Sequence, residues 1–284
     1  MKIKKHIRIP IMILIAFALI AFIFFVLWRQ EAHAPIFENK IANEKSAEIS
    51  TTSDSTKPVT PAKPTASESL QNVQIPILMY HYVRTVDDPT DTAGITLSVT
   101  PERFAQQLDL IADRGYTTTT LEAISQGKIP DKPIILTFDD GYEDFYTNAY
   151  PALKARGMTA ILYVIVDKNS SQYMSQNQIL EISQNNIEIG SHTLSHPNLI
   201  VMSIEEATNE ITQSKTKIEE IIGKKVTSFC YPSGRYNDQI SEIVKNSGYL
   251  FAVTTNSGMA KFNSVFDLQR YRINADTNVS AYLK

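Results

Sequence analysis

An alternation of segment types limits the fold more than any other feature. Six short apolar runs occur at Ile75–Tyr80, Pro133–Phe138, Ala160–Val166, Ile187–Gly190, Val226–Tyr231 and Leu250–Thr255. Each has the length and apolarity of a buried strand. Amphipathic segments lie between them. One opens with Thr100 as N-cap and Pro101 at its first helical position, sets Phe104, Leu108 and Ile111 on one face, and closes at Gly115. Another starts at Ser203 and ends on Gly223. Strand and helix in turn predict an α/β fold, a parallel sheet covered by helices. Seven or eight such units over residues 73–284 suit a (β/α) barrel at the small end of its size range, with a doubly wound open sheet as the alternative. No fixed-period repeat and no glycine-rich phosphate loop is visible.

The N-terminal part reads differently. Residues 9–28 form a charge-free run of twenty, about the length a helix needs to cross a bilayer. Lys2, Lys4, Lys5 and Arg8 precede it, which keeps the N-terminus in the cytoplasm and exports the remainder. Residues 1–29 are therefore expected to be a basic tip and transmembrane anchor, giving a single-pass protein of the cell membrane. Cleavage after Ala32–Ala34 and secretion is the alternative, disfavoured by the length of the run and by Pro35. Residues 30–72 are rich in Ser, Thr, Lys, Glu and Pro and are expected to be a disordered stalk. A net charge of −3 supplies no basic field for nucleic acid. One cysteine, Cys230, excludes an internal disulfide framework and any paired-cysteine metal site.

Polar groups gather where the predicted strands end. Asp139 and Asp140 follow one run, His192 and His196 another, Tyr231 and Pro232 a third, and His81 stands directly after the first. In a barrel of this kind the strand ends are where chemistry collects. Two histidines at i and i+4 on one side of a helical turn can bind one metal ion, and Asp140 can complete the set. Asp139 is then free to act as a base, and a cation beside the pair relieves its repulsion. Each pattern alone also has a plainer reading: Asp140 as a helix N-cap, the histidines as surface or structural residues.

The stretches TFDDG, SHTLSH and FCYPSGRYN together resemble the polysaccharide deacetylase family, the NodB-homology domain of carbohydrate esterase family 4. The preceding ILMYHYV is similar to the branch that contains the poly-N-acetylglucosamine deacetylases. The resemblance covers the globular part and implies a distorted barrel of about seven strands. It implies metal-dependent release of acetate from an N-acetylglucosamine-containing polysaccharide, poly-N-acetylglucosamine or peptidoglycan. A non-catalytic glycan-binding module and an O-acetyl esterase are the rival readings. Asp140, His192 and His196 would hold a divalent ion, zinc foremost, with cobalt or nickel also suited. Asp139 would be the base and His81 the acid. Pro232 has no N–H, so the amide of Ser233 is expected to face the oxyanion, with Tyr231, Pro232, Arg235 and Tyr142 lining the substrate. Two departures stand out. Cys230 occupies the place of the arginine that orients the catalytic aspartate, leaving Arg235, Arg270 and Arg272 as substitutes, and the Asp-Trp motif is absent.

Overall fold

The structure, a computed structural model, describes residue 70 and residues 73–283. The apolar run 9–28 lies outside them, as does all of the expected stalk except residue 70. Among the described residues no helix is long and apolar enough to cross a membrane.

Twelve strands are present among the described residues: β1 (Gln74–Ile75), β2 (Ile77–Tyr80), β3 (Tyr82–Val83), β4 (Ser98–Val99), β5 (Thr117–Thr118), β6 (Pro133–Phe138), β7 (Ala160–Val164), β8 (Ile187–Ser191), β9 (Ser228–Cys230), β10 (Phe251–Val253), β11 (Ala260–Lys261) and β12 (Tyr271–Arg272). The α-helices are α1 (Thr92–Leu97), α2 (Pro101–Asp113), α3 (Leu121–Ser125), α4 (Tyr150–Ala155), α5 (Gln176–Ser183), α6 (Ile204–Ile222) and α7 (Asp238–Asn246). A π-helical segment, Phe145–Ala149, leads into α4. The main sheet runs β10-β9-β8-β7-β6-β2-β12, with β5 added beside β6. Every pairing along this path is parallel. All the strands therefore end on one face, which is why groups scattered over the chain can meet.

The apolar runs are continuous because both faces of each strand are covered. Ile77, Ile135 and Ile161 belong to one buried cluster, with Tyr163, Cys230, Phe251 and Val253. Their neighbours Leu78, Leu136 and Leu162 belong to a second, which packs under Phe104 and Leu108 of α2 and Ile211 and Ile218 of α6. Each such buried side chain contributes roughly 1.5–3 kcal/mol. The sheet curls around the first cluster. Leu268 forms a parallel bridge to Val253 of β10, and three residues later β12 pairs with β2. The segment 268–272 thus touches both sheet edges. Gly190 permits the close packing inside: a Cβ there would run into the ring of Tyr163.

Helix ends follow their sequence signals. Thr100 accepts the Arg103 N–H at 3.2 Å. Ser203 and Glu206 form a capping box, and Gly223 closes α6 in the left-handed conformation at φ 67°. Several expected bounds shift. Pro76 splits the first run into β1 and β2, and the runs at Ala160–Val166, Val226–Tyr231 and Leu250–Thr255 narrow to the ranges of β7, β9 and β10.

Candidate active site

Asp139 directly follows β6, and its N–H donates to Tyr80 O at 3.0 Å. The carboxylate is 2% exposed. It is held by Arg270, which stands just before β12 and is fully buried. Arg270 Nη1 donates to Oδ1 and Nη2 to Oδ2, both at 2.7 Å. Nε donates to Thr254 O at 2.9 Å, Nη1 also to Thr137 Oγ1 at 3.0 Å, and Nη2 also to Cys230 Sγ at 3.3 Å. All five guanidinium N–H groups therefore have partners. Burial alone would raise the Asp139 pKa. The charge and hydrogen bonds of Arg270 outweigh it and hold the carboxyl well below the usual range. Of the three arginines left open by the sequence, the structure places this one on the aspartate. Cys230, expected to stand in the place of an orienting arginine, instead lies against Arg270, which arrives from the segment ahead of β12.

Asp140 turns away from that pair. Its φ of 75°, followed by Gly141 at 80°, swings the carboxylate toward the loop after β8. There Oδ1 lies 3.4 Å from His192 Nε2 and 3.8 Å from His196 Nε2. The two histidines do not share a helical turn, contrary to the expectation from their spacing. Thr193 and His196 are both left-handed, with φ of 69° and 66°, and this reversal brings the second imidazole back over the first. The rings stand 4.7 Å apart at 78°. The turn is tied by the His196 N–H to Thr193 Oγ1 at 3.0 Å and by Glu210, whose Oε2 accepts the Leu194 and Ser195 N–H groups and whose Oε1 accepts the Ser195 hydroxyl. Nor is Asp140 a helix N-cap: the helical segment begins past it, and its carboxylate faces the histidines. Four of the five non-glycine residues with positive φ among those described, Asp140, Thr193, His196 and Ser233, fall in the three recognised motifs. Strained backbone of this kind gathers at functional sites.

The donor set fits a divalent metal. The ligand atoms of Asp140, His192 and His196 lie within 4.8 Å of one another. Donors around a tetrahedral zinc, bound at about 2.0–2.1 Å, stand about 3.4 Å apart, close to the two separations to Asp140. His192 Nδ1 donates to Cys230 O at 2.7 Å, so in the neutral ring Nε2 carries the lone pair that a metal would take. Asp139, His192 and Cys230 form a second cluster of potential ligands. It is unsuited to a cation, because both Asp139 oxygens already face Arg270 and burial pushes the Cys230 thiol up toward its neutral form.

His81 follows β2. Its Nε2 is 4.0 Å from Asp139 Oδ2 and its side chain is 11% exposed. Burial lowers its pKa, against the opposing pull of Asp139 and Asp140. The ring is therefore neutral at rest near pH 7. Its Nδ1 is buried without a hydrogen-bond partner.

The loop after β9 supplies the remaining candidates. Tyr231 and Pro232 are buried, while Ser233 and Arg235 are exposed. Tyr231 N–H donates to Val253 O at 3.2 Å and its hydroxyl to Phe266 O at 3.0 Å, so both donors are engaged. Ser233 takes φ 54°. Among the described residues no hydrogen bond or ion pair joins Ser233 or Arg235 to the carboxylates or histidines. Tyr142 sits beside Asp140, but its ring lies between Tyr82 at 4.2 Å and Tyr173 at 5.0 Å. These rings cover it, leaving its edge for contact.

The chain is similar to several known proteins. Residues 126–252 match the family described as polysaccharide deacetylase. The Bacillus subtilis protein YxkH is 31% identical over 268 residues, covering 89% of each chain. The structure of the Streptococcus pyogenes deacetylase PplD in complex with acetate is similar at TM-score 0.70 and 34% identity, covering 75% of this chain and 100% of that one. A poly-β-1,6-N-acetyl-D-glucosamine N-deacetylase of Staphylococcus aureus is 25% identical over 186 residues, 56% of this chain and 64% of that protein. Identity to YxkH across nearly the whole of both chains, together with a shared fold, makes the assignment: the chain belongs to the polysaccharide deacetylase family, hydrolases acting on amide bonds of acetylated polysaccharides.

Proposed function

We propose that this protein removes N-acetyl groups from an N-acetylglucosamine-containing polysaccharide at the cell surface, in a metal-dependent reaction that releases acetate. The observation that carries the reading is the buried Asp139, gripped by Arg270, 4.0 Å from His81 and next in sequence to a carboxylate facing two histidines. Asp140, His192 and His196 would hold the ion, and the chemistry a divalent ion supplies is polarisation of the acetamide carbonyl and a lowered pKa for water. Zinc suits the donors, and cobalt or nickel would also be accepted.

The residues of the chain divide the proton work. Arg270 keeps Asp139 ionised and aimed, so that the carboxylate can take a proton from the attacking water. An acid with so depressed a pKa gives its proton up readily. His81 is neutral, and a movement of about 1 Å would bring it to hydrogen-bonding distance of Asp139. The proton can then pass from Asp139 to His81 and on to the departing amine. The oxyanion needs a fixed donor. With the Tyr231 N–H already committed to Val253, the Ser233 amide is the candidate in this loop. Pro232, Arg235 and the edge of Tyr142 would border the sugar.

Residues 9–28 would anchor the chain, 30–72 would act as the stalk, and 73–284 would be the catalytic domain outside the membrane. Poly-β-1,6-linked N-acetylglucosamine is the favoured polymer, on the position of His81 ahead of the aspartate pair and the Staphylococcus aureus likeness. The test is acetate release from β-1,6- and β-1,4-linked N-acetylglucosamine oligomers and from peptidoglycan, each with zinc and with chelator. Zinc-dependent release that disappears in Asp139→Asn is expected. Binding without release would favour a glycan-binding module, and release from acetyl esters alone would favour an esterase.

A further inference from the structure

A histidine that moves protons is ordinarily oriented by a hydrogen bond at its second ring nitrogen. His81 lacks one: Nδ1 is buried and has no partner. Its orientation must come from the main chain on either side. Before it, β2 is secured in the sheet by β6 and β12. After it, the main chain of β3 pairs with β4, and at Val83 it is also caught by side chains. The Val83 N–H donates to Asp144 Oδ2 at 3.0 Å, and the Val83 C=O accepts from Asn148 Nδ2 at 2.8 Å.

Asp144 and Asn148 are four residues apart, on one side of the turn that enters the π-helical segment Phe145–Ala149. Such segments are rare and often lie at functional sites. This turn also begins shortly after Asp139 and Asp140, so the base, a metal-ligand candidate and the catch on Val83 all lie within residues 139–148. We propose that Asp144 and Asn148 are positioning residues, a two-point clamp on Val83 that holds His81 against Asp139. The inference rests on the reading of His81 as the acid.

Two further observations support it. Asp144 Oδ1 is buried without a partner, and burial, only partly offset by Arg84, pushes the carboxyl pKa up to about 6. A buried acid left half unsatisfied is costly, which argues for a task that needs its acceptor. Between the clamp and His81, Tyr82 is pressed between the same two segments. Its ring packs on Tyr142 at 4.2 Å, and the Arg84 guanidinium covers it at 3.7 Å.

The experiment uses the zinc-loaded full chain and the variants Asp144→Ala, Asn148→Ala and Asp144→Asn, each with His81 and with His81→Gln. With His81 present, the alanine variants should lose about tenfold or more in kcat, since small misplacements of catalytic groups are costly. KM should stay within about twofold and zinc content should not change. Asp144→Asn, whose amide oxygen can still accept the Val83 N–H, should recover most of the loss. With His81→Gln, none of the three should cost anything more. Equal losses with and without His81, or an asparagine no better than alanine, would make the clamp merely structural and overturn the proposal. Asn148→Gln, which only displaces the amide, replaces an alanine variant that does not fold and carries the same expectation. If the wild-type chain releases no acetate, the deacetylase reading fails separately, and ¹⁵N-histidine NMR decides the clamp. Loss of the clamp should then shift or broaden the His81 ring signals while leaving His192 in place; unmoved His81 signals would overturn it.

Discussion

Replacing Arg270 with methionine removes the cation but keeps much of the buried volume. The guanidinium is fully buried and bonded to Asp139 through both carboxylate oxygens, so the variant strands a carboxylate in an apolar interior. Breaking a buried pair from one side costs about 3–5 kcal/mol, a large part of a domain's total stability. The loss should depend on pH in a particular way. In the wild type the Asp139 pKa is depressed in the folded state, so its contribution is present above the unfolded value and is lost as pH falls through the folded one. Without Arg270, burial is the first remaining influence and raises the folded pKa above the unfolded one. The deficit should then grow as pH rises from about 4 toward neutrality, by up to about 1.4 kcal/mol per pH unit. Urea unfolding of the metal-free chain at pH 4.5, 5.5 and 7 measures this. The double variant Arg270→Met/Asp139→Asn should regain a large share of the loss at pH 7, because no charge is left stranded. A single variant within about 1 kcal/mol of wild type at pH 7, or a deficit that does not change with pH, would refute the account of Arg270 as the partner that keeps Asp139 ionised.

Other perturbations probe separate parts of the structure. Gly190→Ala should lose about 1–3 kcal/mol by overpacking against Tyr163, seen as a lower urea midpoint with unchanged slope. His196→Ala should weaken zinc binding at least a hundredfold in a competition titration while leaving the fold intact, since its side chain is 31% exposed. Cys230 should resist a thiol reagent in the native chain and take up one equivalent in denaturant, as a buried thiol with a raised pKa must; rapid native labelling would contradict its placement. In the metal-free chain the His81 ring should titrate below the ordinary histidine value when followed by NMR, and a midpoint at or above it would remove the basis for a neutral resting acid.

The parts of the site that were legible from sequence are those where a local rule and the parallel sheet agree. A carboxylate pair directly behind the run Pro133–Phe138 had to lie at a strand end, and parallel strands put all such ends together. His81, Asp139, Asp140, His192 and His196 met for that reason. The shape of the histidine turn was not legible, because i and i+4 spacing suggests a helical turn whereas two left-handed residues do the work here. Two-residue strands such as β3, β4 and β5 show no period at all, and α3 is too short to reveal one.

Arg270 shows where such reading stops and why. A buried carboxylate at a strand end requires a cation, and three arginines were within the C-terminal third of the chain. Spacing alone could not choose among them, because the choice depends on which strand closes the sheet and on which side its residues face. Arg270 and Arg272 are two apart, so they share a side in a regular strand, yet Arg270 is fully buried and Arg272 is exposed. The difference arises because Arg270 still stands in the irregular segment that crosses from β10, its N–H donating to Asn256 O, while Arg272 is already paired with Met79 in β2. The residue that sets the charge of the candidate base is thus placed by the crossing that joins the two edges of the sheet, a long-range feature with no local signature. On the proposed function, activity depends on sheet closure: a change that loosened the 268–272 crossing would remove the partner of Asp139 without touching any motif.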